Sequence, residues 1–96
     1  IRTACDLYHI TGHNLLHGRS LEVLAGQFKA AAFALRAKCF LETGRFLRET
    51  TVLAAALTGP DRAVLQGGQG LTEENLEVRS LLLIGWAGQI IREDMP

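Results

Sequence analysis

Three imidazoles open the question of chemistry. His9, His13 and His17 recur at steps of four, which sets them on one face of a helix, with Asp6 nearby and Arg2 beyond it. Two histidines at i and i+4 can chelate zinc, and a carboxylate could complete the shell. Three on one straight helix cannot share an ion, because His9 and His17 would stand about 12 Å apart. A metal site would need one pair plus ligands from another helix. A polar ligand-facing or interdomain surface is a second reading, and an ordinary solvated face is the simplest. Lys29 and Arg36 form another set, seven residues apart with Phe33 between them and Glu22 below. Two cations beside an aromatic ring could hold a nucleotide phosphate and stack a base. The plainer alternative is a charged rim around a protein interface.

Other patterns carry less. Arg2 and His9 have the spacing of the Arg/His pair of a helical ribonuclease class, but no histidine follows His17, so the last helix cannot supply one. Gly68-Gln69-Gly70 has a Gly-x-Gly spacing, yet no phosphate-loop lysine follows and no strand precedes it, so the reading is a flexible connector. Arg45 and Arg48 read as the solvated end of a connector. Cys5 and Cys39 are too few for a disulfide framework and point to a reduced, cytoplasmic setting, with Cys39 as a small core residue. Serine, cysteine and carboxylate positions show no arrangement of nucleophile and base.

The elements that must position these residues are helical. Residues 21–43 run without proline, with Ser20 placed to cap the first turn and Gly44 to end the last, for a length of roughly 34 Å. Leu21, Ala25, Phe28, Ala32, Leu35 and Cys39 make one apolar stripe. Val23, Ala30, Ala34, Ala37 and Leu41 make a second, on the far side. Phe33 and Phe40 interrupt the polar line of Glu22, Lys29 and Arg36. A helix apolar on two sides is expected to be sandwiched at the centre of the domain.

Around it, residues 3–17 read as a helix ending at Gly18, with Ala4, Leu7, Tyr8, Thr11 and Leu15 facing the core. Gly18-Arg19-Ser20 is then a tight connection, so these two helices should be antiparallel neighbours. Residues 51–57 are helical and stop at Gly59-Pro60, and Pro60 opens a short piece through Gln66. A final helix opens at Thr72 and reaches about residue 93, burying Leu76, Ser80, Leu83, Ala87 and Ile90, flanked by Leu82, Trp86 and Ile91. The expectation is an all-α, up-and-down four-helix bundle with two long helices, about 21–43 and 73–93, and shorter ones between.

Size and charge bound the rest. Ninety-six residues make a single domain, spanning 1–96. Ten basic and ten acidic side chains cancel, which leaves no overall footprint for a dedicated nucleic-acid binder or an anionic membrane. No apolar run is long enough to span a bilayer, and the N-terminus lacks the layout of a signal peptide. The start at Ile1 reads as the C-terminal part of a longer chain.

Three stretches, GQFKAAAFALRAKCFLETGRF, TTVLAAAL and LLLIGWAGQII, together resemble the helical domain of bacterial minimal nucleotidyltransferase systems. That domain belongs to the broad group of HEPN and nucleotidyltransferase substrate-binding bundles. The resemblance spans residues 26–91 and rests on helix lengths and small residues rather than on a signature motif. It implies a non-catalytic substrate-binding and dimerisation module, fused to or associated with a polymerase-beta-type catalytic domain, and a homodimer. The catalytic carboxylates, Mg2+ and nucleotide would belong to that partner domain, with no cofactor in this one. The contacts would come from His9, His13, His17, Lys29, Phe33, Arg36 and Phe40. The missing second histidine departs from the ribonuclease members of the group. A ribonuclease toxin using Arg2 and His9, and a metal-binding bundle, are the alternatives.

Overall fold

Ser20 and Gly44 bound the longest helix as their chemistry requires. The computed structural model describes the backbone of residues 2–94 and the side chains of residues 3–93. Helix α1 spans Arg2–His13, α2 Leu21–Thr43, α3 Thr50–Ala56, α4 Gly59–Gly67 and α5 Leu76–Asp94; no strand occurs among the described residues. At the head of α2 the Ser20 hydroxyl accepts from the Val23 N–H at 3.2 Å. At its end Gly44 takes φ 75°, and its N–H reaches the Phe40 carbonyl at 2.7 Å. Pro60 occupies the first turn of α4, where its missing N–H costs nothing.

The expected continuous first helix differs. It stops at His13, and Asn14–Gly18 form a wide π-helical turn. Asn14 is the cause. Its buried side-chain amide donates to the Ser20 carbonyl at 3.0 Å, and its Oδ1 accepts from the Ser20 N–H at 2.9 Å. A short amide that grips backbone six residues on competes with the helix for those groups. The Arg19 N–H closes the wide turn on the Asn14 carbonyl, and Arg19 itself sits at φ 48°. Gly18 is required here, since a Cβ would stand 2.9 Å from Asn14 Oδ1.

At the last helix, the predicted opening turn exists but is looser than α-helix. Residues 73–75 form a turn, closed by reciprocal bonds between Thr72 and Asn75: each backbone N–H is taken by the other's side-chain oxygen. The helix proper begins at Leu76.

Packing links these pieces into a slab of 39 × 35 × 18 Å. The short dimension is about two helix diameters at most, so many helix faces lie at the surface. α1 packs on α5 and on α2, α4 bridges α2 and α5, and α3 rests on α4. The core holds Leu7, Leu24, Phe28, Leu35, Leu53, Val64, Leu76, Leu83 and Trp86.

Two expectations about faces need correction. Tyr8 does not point into the core: it is 42% exposed, with its ring edge lying where a Cβ on Gly88 would be 3.3 Å away. The second stripe of α2 is not sandwiched. Leu41 is 83% exposed, Val23 and Ala30 are exposed, and Ala34 and Ala37 are half-buried. The first stripe is buried as expected at Phe28, Leu35 and Cys39, and it is shifted toward Leu24 and Ala31.

Candidate functional site

The polar line of α2 is divided by its neighbours. Lys29 and Arg36 open into one cavity of about 250 Å³, whose other walls are Ala25, Phe28, Ala32, Thr50, Leu65, Gly68 and Gln69. Phe33 is not part of it. That ring is 69% exposed and lines a separate groove with Leu7, Ala37 and Leu41. The ring therefore borders a different opening from the two cations.

The cation cavity depends on how the chain from α4 to α5 lies. Gly67 and Gly68 press onto Phe28. A Cβ on Gly67 would stand 2.8 Å from Leu82 Cδ2, and one on Gly68 would stand 2.9 Å from Phe28 Cβ. Arg79 of α5 then holds the segment, donating from one guanidinium nitrogen to the carbonyls of Gly67 and Gln69. Read from sequence as a flexible connector, this stretch joins α4 to α5, is bonded at two carbonyls and lends Gly68 and Gln69 to the cavity wall. Across the cavity the Arg36 Nε donates to the Arg48 carbonyl at 3.2 Å, and its Nη2 faces Thr50 Oγ1 at 3.5 Å. These contacts orient the guanidinium. Thr50 and Gln69 carried no sequence signal of their own; the glycine doublet, which permits close backbone approach, was the one available clue.

A second set of polar groups surrounds Trp86. The indole N–H donates to Asp61 Oδ1 at 3.0 Å, and Lys38 Nζ donates to Asp61 Oδ2 at 3.1 Å. The hydrogen bond that Lys38 donates to Asp61, helped by the carboxylate's charge, raises the Lys38 pKa above its usual value. This trio sits at the edge of a groove of about 640 Å³ between α2, α4 and α5, walled by Leu35, Val64, Leu82 and Ile90. On the other side of Ala34 and Trp86 lies the Phe33–Leu41 groove, of about 650 Å³. The two share Ala34, Lys38, Trp86 and Ile90, so they flank a common ridge.

The histidines remain at the surface. His9 and His13 border a shallow hollow of about 390 Å³ with Ile10, Asn14 and Val23, and His17 lies outside it. His13 and His17 are brought together by the π-helical turn, ring centroids 4.8 Å apart, while His9 meets Tyr8 edge to face. Among the described residues no three His, Cys, Asp or Glu side chains gather as a metal shell would require. The Arg2 side chain, assigned a role with His9 in the ribonuclease reading, lies outside the described residues, as does Ile1. Phe40 stands apart from the other candidates, packed edge to face against Phe46 with centroids 6.5 Å apart.

Cys5 and Cys39 are free thiols. No helix among the described residues is long and apolar enough to cross a membrane. Set against known proteins, the chain matches no family model, no curated protein and no solved structure.

Proposed function

We propose that this chain is a non-catalytic helical module that pairs with a second copy of itself and provides a substrate-holding surface for a polymerase-beta-type nucleotidyltransferase. The catalytic carboxylates, Mg2+ and nucleotide would sit in that partner domain, fused or separate, in the cytoplasm. In this reading α1, α2, α4 and α5 form the four members of an up-and-down bundle and α3 is a side turn. The nucleotidyltransferase association rests on the resemblance of residues 26–91.

The observation that carries the pairing is the open face of α2. Phe33, Leu41, Ala34 and Ala37 form an apolar strip flanked by a groove on the α1 side, and Val23 continues it toward the helix start. Phenylalanine and leucine side chains left in water forgo about 1.5–3 kcal/mol each of burial energy. An apolar strip along a whole helix is the usual mark of a surface that meets another protein.

Sedimentation equilibrium on the chain tests this. A concentration-dependent dimer is expected, converted to monomer by Leu41→Glu and by Phe33→Glu. A monomer at every concentration would overturn the pairing. The association with a catalytic domain is tested separately, by binding of the chain to a polymerase-beta-type domain encoded with it; no complex, and unchanged nucleotidyl transfer when the chain is added, would overturn that half.

A further inference from the structure

The cavity between Lys29 and Arg36 is chemically one-sided. Its polar groups are an ammonium, a guanidinium, a hydroxyl and a carboxamide, and no carboxylate lines it. Every one of these can donate. The Thr50 oxygen faces Arg36, which leaves its own proton free to be donated elsewhere. Elsewhere on α2 a cation is neutralised: Lys38 pairs with Asp61, the one ion pair among the described residues. Among the described residues Lys29 and Arg36 have no such partner. The two cations are about 10.5 Å apart along the helix axis, and both line the hollow that Ala32 also borders.

The walls match that purpose. Ala25 and Ala32 leave room on the helix surface where larger residues would fill it. The Gly67-Gly68 segment lies so close to Phe28 that the opposite wall is set by backbone. Arg36 is held in place by the Arg48 carbonyl and keeps further N–H groups for a bidentate grip. At about 250 Å³ the cavity falls below the volume that encloses a whole drug-sized ligand. It suits an oxyanion group, with the remainder of the ligand left outside.

We infer that this cavity is a phosphate site, binding the phosphate group of a phosphorylated small molecule through Lys29, Arg36, Thr50 and Gln69. The inference does not depend on self-pairing, because the cavity lies on the α3 and α4 side of α2, away from Leu41.

Calorimetric titration of the whole chain with inorganic phosphate, pyrophosphate and a nucleoside monophosphate tests it. Saturable binding of at least one is expected, weakened about tenfold or more by Lys29→Ala and by Arg36→Gln, which corresponds to about 1.4 kcal/mol. Lys29 is exposed, so its removal leaves the fold intact and separates lost binding from lost structure. Tightest binding of inorganic phosphate would assign the site to the free ion; tighter binding of the nucleoside monophosphate would assign it to a phosphoryl ligand with a body outside the cavity. Leu41→Glu should bind equally well, so failure of pairing and failure of this site read out differently. The inference is overturned if none of the three binds saturably, or if binding survives both Lys29→Ala and Arg36→Gln unchanged.

Discussion

At the residue scale, Asn14 shapes the molecule more than any of the histidines beside it. It is nearly sealed from solvent, and both ends of its carboxamide are matched by the backbone of Ser20. Replacing it with alanine would remove two hydrogen bonds and leave the half-buried Ser20 N–H without its partner, while the Ser20 carbonyl keeps the bond from the Leu24 N–H. That is expected to cost about 1–3 kcal/mol, a sizeable share of a small domain's stability, and urea unfolding would measure it. A loss under about 0.5 kcal/mol would mean that water or a relaxed turn replaces the amide. Asparagine in the middle of a helical pattern was readable only as a weak helix former. Its pairing with residue 20 depends on the wide turn, which depends in turn on the pairing, and periodicity carries no trace of such a circular dependence. Ser20 and Gly44 were legible because a cap acts on its own next few residues.

Elements were legible where one side meets the core and illegible where two neighbours compete. In α5 the line Leu76, Ser80, Leu83 and Ala87 is fully or nearly fully buried, as the spacing predicts. In α2 the first stripe is buried but rotated toward Leu24 and Ala31, because α1 and α4 approach it from different directions. A rotation of that size moves the half-buried alanines, which carry little hydrophobic contrast to announce their side. The bonds that hold the segment after α4 are illegible for a related reason: the reach of Arg79 back to Gly67 and Gln69 is tertiary. Burial of α5 also carries a cost. Ser80, and Thr11 of α1, are sealed from solvent with no hydrogen-bond partner for the hydroxyl oxygen among the described residues. Ser80→Ala removes that oxygen without opening a sizeable cavity, so the helix interface is expected to gain about 1–2 kcal/mol. A rise in the thermal midpoint would register it. A fall would show that the hydroxyl is satisfied within the folded protein.

The whole molecule leaves part of its apolar content at the surface. Nearly half of the residues are apolar, yet a slab 18 Å across offers little interior, and large side chains such as Leu16, Phe33, Leu41 and Val78 stand mainly in water. Two routes lead from there, self-pairing or nonspecific adhesion, and concentration separates them. If two copies close over the α2 face, the dissociation equilibrium is linked to unfolding. Each tenfold rise in concentration then adds about 1.4 kcal/mol per pair, or about 0.7 per chain. For a chain of this length that moves the thermal midpoint by roughly 3–4 °C. The midpoint should climb steadily across a hundredfold range for the native chain and stay flat for Leu41→Glu. Substituting Leu16, which lies in the π-helical turn and not on α2, should leave the climb intact. A midpoint independent of concentration in the native chain would mean that the strip stays open in solution and that the copies do not pair through it.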